Sequence, residues 1–161
     1  MPTVLDDRAS EDEVFAAFGL AALRANEFER VLVTFLETVL PAGRVRVDPL
    51  GAEGSRIPAL GHMTTQVRDA GGSEALLALL QVVTDTRNSL FHHYFWERPV
   101  EFITTEGRAA MATELREIGV KLEAATRDLP KVLLEWAASA GHIPPIAPKL
   151  ARLIALFRNP N

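Results

Sequence analysis

An arginine, an asparagine, two histidines and a tyrosine crowd into TDTRNSLFHHYFWERPVEF, residues 84–102. Two of the chain's four histidines, one of its two tryptophans and its only tyrosine fall in this stretch. On a helix at about 100° per residue, Gln81, Asp85, Asn88 and His92 share one stripe. Leu76, Leu80, Val83, Arg87, Leu90 and Tyr94 share the neighbouring stripe, so Arg87 breaks an apolar line. Asn88 and His92 are one turn apart, a spacing at which an amide can hydrogen-bond an imidazole and fix its tautomer. Arg87 beside them offers a planar cation suited to phosphate. Tyr94 adds a hydroxyl near the same helix end.

Such a patch has the groups to cleave RNA without a metal. His92 would take the proton of a ribose 2′-hydroxyl or protonate the leaving oxygen. Arg87 would stabilise charge developing on the phosphate, and Tyr94 would orient the phosphate or hold the histidine. One copy supplies one dependable proton-transfer group, unless His93 serves as a second. A two-fold homodimer would bring two copies together. The structural alternative is a polar network of Arg87, Asn88 and His92 that caps a helix end and ties two helices together. His93 is expected at the surface or in packing, and Tyr94 fits a site role and a packing role equally. Phe91, Phe95 and Trp96 are expected in the core rather than under stacked bases. His62 and His142 read as surface residues.

The elements that must position these residues read as helices. Ser10 and Glu13 form a capping-box pattern, which predicts a first long helix over 10–40, stopped by Pro41-Ala42-Gly43. Its core line is Val14, Phe18, Ala21, Ala25, Phe28, Leu32, Phe35 and Val39. Asn26 and Glu29 interrupt a second apolar line beside it, three residues apart and facing the same way. This breadth of apolar surface implies cover on two sides, by a second protomer or by the C-terminal helix. Asn26 or Glu29 is expected to meet the motif.

Residues 41–57 read as a loop. A short helix over 58–69 ends at Gly71-Gly72, and Ser73 caps the motif helix, expected over 73–96. A short link leads to a long helix over 104–139, capped by Thr104 or Thr105 and kinked near Pro130. A Pro-rich break precedes a terminal helix over 147–158. The expectation is one all-α domain over 1–161, an up-and-down bundle of four main helices plus short ones.

At 161 residues the chain has room for one sizeable core, and its 48% hydrophobic and 24% charged residues are those of a globular protein. The lack of cysteine excludes disulfides, thiolate zinc sites and cysteine nucleophiles. No secretory leader is read at the N-terminus, and no apolar run reaches the ~18 residues a membrane span needs. A cytoplasmic protein with no membrane contact is expected. The net charge of −4 disfavours broad, charge-driven nucleic-acid binding, but leaves room for a transient RNA contact at a small site. No His, Asp and Glu set has metal-ligand spacing, and Gly71-Gly72 lacks the pattern of a phosphate loop. Neither a metal nor a cofactor is expected.

The motif RNSLFH, Arg87 to His92, resembles the Arg-polar-x-x-x-His motif of HEPN (higher eukaryotes and prokaryotes nucleotide-binding) domains. These are small helical bundles, many of them ribonucleases of toxin–antitoxin and defence systems. The extension to Tyr94 resembles the Arg-x4-His-x-Tyr version found in toxins paired with a minimal nucleotidyltransferase antitoxin. RNSLFHHYFWERPVEFITTEGRAAMATEL also looks like a group of bacterial helical proteins with an Arg-Asn-x-Leu-x-His-His-x-Phe signature. The resemblance implies a HEPN-like bundle and an active site formed across a dimer. Arg87 and His92 would then be catalytic, with Asn88 as the polar neighbour. It implies an RNA substrate rather than DNA, and an antitoxin as a candidate partner. The extra His93, the 41–57 loop and the segment after Pro130 depart from a minimal toxin. Some HEPN proteins keep the bundle as a non-catalytic module that binds a protein or nucleotide, which is the alternative function.

Overall fold

The computed structural model of the protein describes residues 4–40 and 60–141, with side chains from residue 11 onward. The helix signals become α1 (Val4–Val39), α2 (Leu60–Asp69), α3 (Glu74–Asn88), α4 (Pro99–Ile103) and α5 (Thr105–Ser139). A π-helical turn, Ser89–His93, continues α3. The described residues are all α, with no strand, and no helix among them is long and apolar enough to cross a membrane. The 41–57 loop, the 147–158 helix and His142 lie outside the described residues. Three long helices are therefore seen, and the expected fourth is not among them.

Several boundaries follow the signals that predict them. Ser73 Oγ accepts from the Leu76 amide at 3.3 Å and starts α3. Thr104 Oγ1 accepts from the Gly107 amide at 3.1 Å and starts α5. Gly71, at φ +77°, ends α2. Its amide donates to the Arg68 carbonyl and the Gly72 amide to that of Val67, closing the orphan carbonyls of the last turn.

Other boundaries differ from expectation. α1 starts at Val4, so Ser10 lies inside the helix rather than at its cap. No Pro or Gly between Val4 and Ser10 stops the helix earlier. By contrast α5, expected over 104–139, runs through Pro130 to Ser139 as one helix. Packing of Leu129, Leu133 and Trp136 on either side holds the helix where propensity alone would break it. The link after Pro99 is itself helical, with Pro99 in the first turn of α4, where its missing amide proton costs nothing.

α1 and α5 run side by side in the same direction. Glu13 meets Arg116 at 3.6 Å near their starts, and Arg24 meets Glu123 at 3.4 Å further along. Between these pairs, a Cβ on Gly119 would lie 3.8 Å from the Ala21 Cα, so small residues let the two backbones approach. α3 runs the opposite way. Near its start the Trp136 indole N–H donates to the Gly71 carbonyl at 3.0 Å, and beyond its end Tyr94 reaches Met111. One core lies between the C-terminal halves of α1 and α5, with α2 and the start of α3. A second joins Val14, Ala17 and Ala21 to Leu90, Tyr94 and Leu115. The wide apolar arc of α1 is thus covered largely within one chain, by α5 and α3, leaving Phe15, Leu20 and Leu23 exposed.

Candidate functional site

Glu29 on α1 faces Arg87 on α3. The Arg87 Nε–H donates to Glu29 Oε1 at 2.9 Å. Glu29 is only 7% exposed, while the Arg87 side chain keeps 27% of its surface open. The pair sits where each helix breaks an apolar line, because a carboxylate can be buried there only beside a cation. The expected contact between α1 and the motif is therefore present, and Glu29 makes it. Asn26, one turn earlier, is exposed. The Arg87 guanidinium also lies over the Phe91 ring, 4.9 Å from its centroid. That ring meets Phe18 of α1 edge-on at 6.2 Å. Arg87 is thus held by a carboxylate and by an aromatic face. Neither of its Nη groups has a hydrogen-bond partner among the described residues, so the outer edge of the fork is left to donate.

The stripe of Gln81, Asp85, Asn88 and His92 is exposed along its length, and Gln81 Nε2 donates to Asp85 Oδ1 at 2.9 Å. The neighbouring stripe is buried at Leu76, Leu80, Val83, Leu90 and Tyr94. The hydrogen bond expected between Asn88 and His92 does not form among the described residues. The π turn intervenes: the Tyr94 amide donates to the Ser89 carbonyl, five residues back, at 2.9 Å. This widens the turn and takes Asn88 and His92 out of the α-helical i,i+4 register. His92 and His93 are both exposed, with ring centroids 6.4 Å apart. His93 Nδ1 lies 3.8 Å from Glu97 Oε1, an exposed contact of little energetic weight.

Tyr94 has a different post from the one considered beside the motif. Its ring is buried, and its hydroxyl lies 3.1 Å from both the Met111 carbonyl and Glu114 Oε2, serving one at a time. Arg98 donates to Glu114 at 2.8 Å and covers the Tyr94 ring at 4.3 Å. Burial, and then the Glu114 carboxylate, push the phenol well above its ordinary pKa, so Tyr94 stays a neutral packing residue.

The aromatics depart from the expected core packing. Phe95 is half-buried against Phe18, but Phe91 keeps an open edge and Trp96 is 87% exposed. The Arg87–Phe91 pairing was not read from the sequence, although its four-residue spacing carries the signal. The buried Arg108 was missed as well. It interrupts the stripe of Met111, Leu115 and Leu122 and donates to the Phe102 carbonyl at 3.0 Å. Tyr94–Glu114 joins residues twenty apart across two helices, and no local pattern announces it. His62 is exposed on α2, 3.1 Å from Gln66 Nε2. Among the described residues, no group of three or more His, Asp or Glu could hold a metal ion.

In comparisons with known proteins, no family model, curated protein or solved structure matches the chain.

Proposed function

We propose that the protein is a HEPN-like, metal-independent endoribonuclease of a toxin–antitoxin or defence type, acting as a homodimer with a site shared between two motif copies. The reading is supported above all by Arg87: its Nε is tied to Glu29, its face rests on Phe91, and its Nη edge has no hydrogen-bond partner among the described residues beside the exposed end of α3. A cation oriented in this way is prepared for a phosphate before any substrate arrives. His92, five residues on, is exposed and available for proton transfer.

In the proposed reaction His92 takes the 2′-hydroxyl proton and the 2′-oxygen attacks the adjacent phosphorus. The bond to the 5′-oxygen breaks, and His92 of the partner subunit returns a proton to that oxygen. Arg87 stabilises the extra charge on the non-bridging oxygens. The products are a 2′,3′-cyclic phosphate and a 5′-hydroxyl, and DNA is spared because it lacks the attacking group.

The second reading is a non-catalytic helical module that binds a protein such as an antitoxin, or a nucleotide. It is favoured by the same ion pair, since Glu29 offsets the Arg87 charge and ties α1 to α3, a purely structural role. Incubating the protein with mixed RNA and a chelator, beside Arg87→Lys, separates the two. Cleavage that the lysine variant strongly reduces supports the nuclease, because lysine keeps the charge but not the fork. Intact RNA with both proteins favours the module.

A further inference from the structure

We infer that α4 and the adjoining Trp96 form a docking surface for a basic amphipathic helix of a partner protein. α4 buries none of its residues fully, yet the fold holds it firmly. The buried Arg108 donates to the Phe102 carbonyl at its C-terminal end. Gly107 is so close to the Glu101 backbone that any Cβ there would collide with it. Phe102 packs edge-on against Phe95 at 5.8 Å, beneath the helix. A five-residue helix fixed in this way presents Val100 and Ile103 outward, 67% and 74% exposed. Trp96 precedes them, and Phe15 of α1 extends the apolar surface through ring contacts with Phe95 and Phe102 at 5.9 and 5.7 Å. Apolar side chains held open on a rigid support mark an interaction surface rather than a core.

The charges beside them select the occupant. Glu97, Glu101 and Glu106 are exposed around the patch, while the neighbouring cation, Arg98, is committed to Glu114. An acidic rim repels phosphate, so RNA and anionic lipid are disfavoured. A two-fold contact would set the same acidic patch against itself. An apolar face flanked by Lys or Arg fits both features. This inference does not depend on the nuclease reading.

The full chain carries its own reporter, because Trp96 is exposed and the other tryptophan, Trp136, is 1% exposed. The probe is a synthetic 14-residue peptide without Trp, with Leu on one helical face and Lys on the other. Its control carries Glu in place of Lys. The Lys peptide should blue-shift Trp96 fluorescence and shield it from acrylamide in a saturable, salt-weakened manner, and the Glu peptide should not. Val100→Ser with Ile103→Ser, at exposed positions that the fold does not need, should weaken the Lys peptide about tenfold or more. Glu97→Gln, Glu101→Gln and Glu106→Gln together should weaken it and flatten its salt dependence. Equal responses to both peptides, no response to either, or shielding of Trp96 by anionic vesicles would overturn the inference. Concentration-dependent shielding of Trp96 without peptide would also overturn it, by assigning the patch to a second copy.

Discussion

Removing the Arg87 guanidinium leaves the Glu29 carboxylate buried with no cation beside it among the described residues. A fully buried pair broken in this way costs ~3–5 kcal/mol. Arg87 is part-exposed, so Arg87→Ala should cost about 1–3 kcal/mol in chemical denaturation. Arg87→Lys should cost less, and Glu29→Leu combined with Arg87→Leu should recover part of the loss. Glu29 was legible as a partner because a carboxylate in the middle of an apolar face must find a cation. Asn26 carries the same sequence signal but faces solvent, since an amide has no comparable demand. Tyr94 makes a second prediction. Its phenol is raised above the ordinary value of about 10, so the unfolded chain gives up the proton first. Stability should be level below about pH 10 and fall above it. Tyr94→Phe should remove that part of the slope in unfolding midpoints measured from pH 9 to 11.5. Phenolate absorbance reports the residue directly, because it is the only tyrosine.

Caps and stops at the ends of α2, α3 and α5 were legible because Ser73, Thr104 and Gly71 act through neighbours three to five residues away. The π turn after Asn88 was not legible. It rests on how Leu90, Tyr94 and Phe95 settle against α1 and α5, which a single helical period cannot express. The consequence falls on the site, because the turn interrupts the α-helical spacing between Asn88 and His92. α4 was hidden as well, its five residues giving no periodicity. Gly107→Ala tests how α4 is held. The added methyl must push the Glu101 backbone away. Amides of Phe102 and Thr104 should then lose protection in hydrogen exchange, while those of Leu122–Leu133 keep theirs. Unchanged protection at Phe102 and Thr104 would mean that α4 is not fixed by this approach.

The all-α architecture of the described residues was legible because their amphipathic stretches leave no strand pattern to compete with them. The side-by-side packing of α1 and α5 was not, since it depends on Ala21 meeting Gly119, nearly a hundred residues apart. That close approach makes Gly119→Leu disruptive: overpacking should cost about 1–3 kcal/mol and lower the melting temperature. The proposed function requires two copies of the motif, so light scattering at micromolar concentration should give twice the mass of one chain, and a monomer would remove the shared site. The most direct measurement is the chemistry of the cut. Purified protein and its His92→Ala variant are incubated with mixed RNA and with DNA in the presence of chelator, and the product ends are identified by mass spectrometry. His92 is exposed, so the variant should fold normally. The proposed function predicts RNA fragments ending in 2′,3′-cyclic phosphate from the unaltered protein alone, with DNA intact. Equal cleavage by both proteins, or 3′-hydroxyl ends, would contradict it.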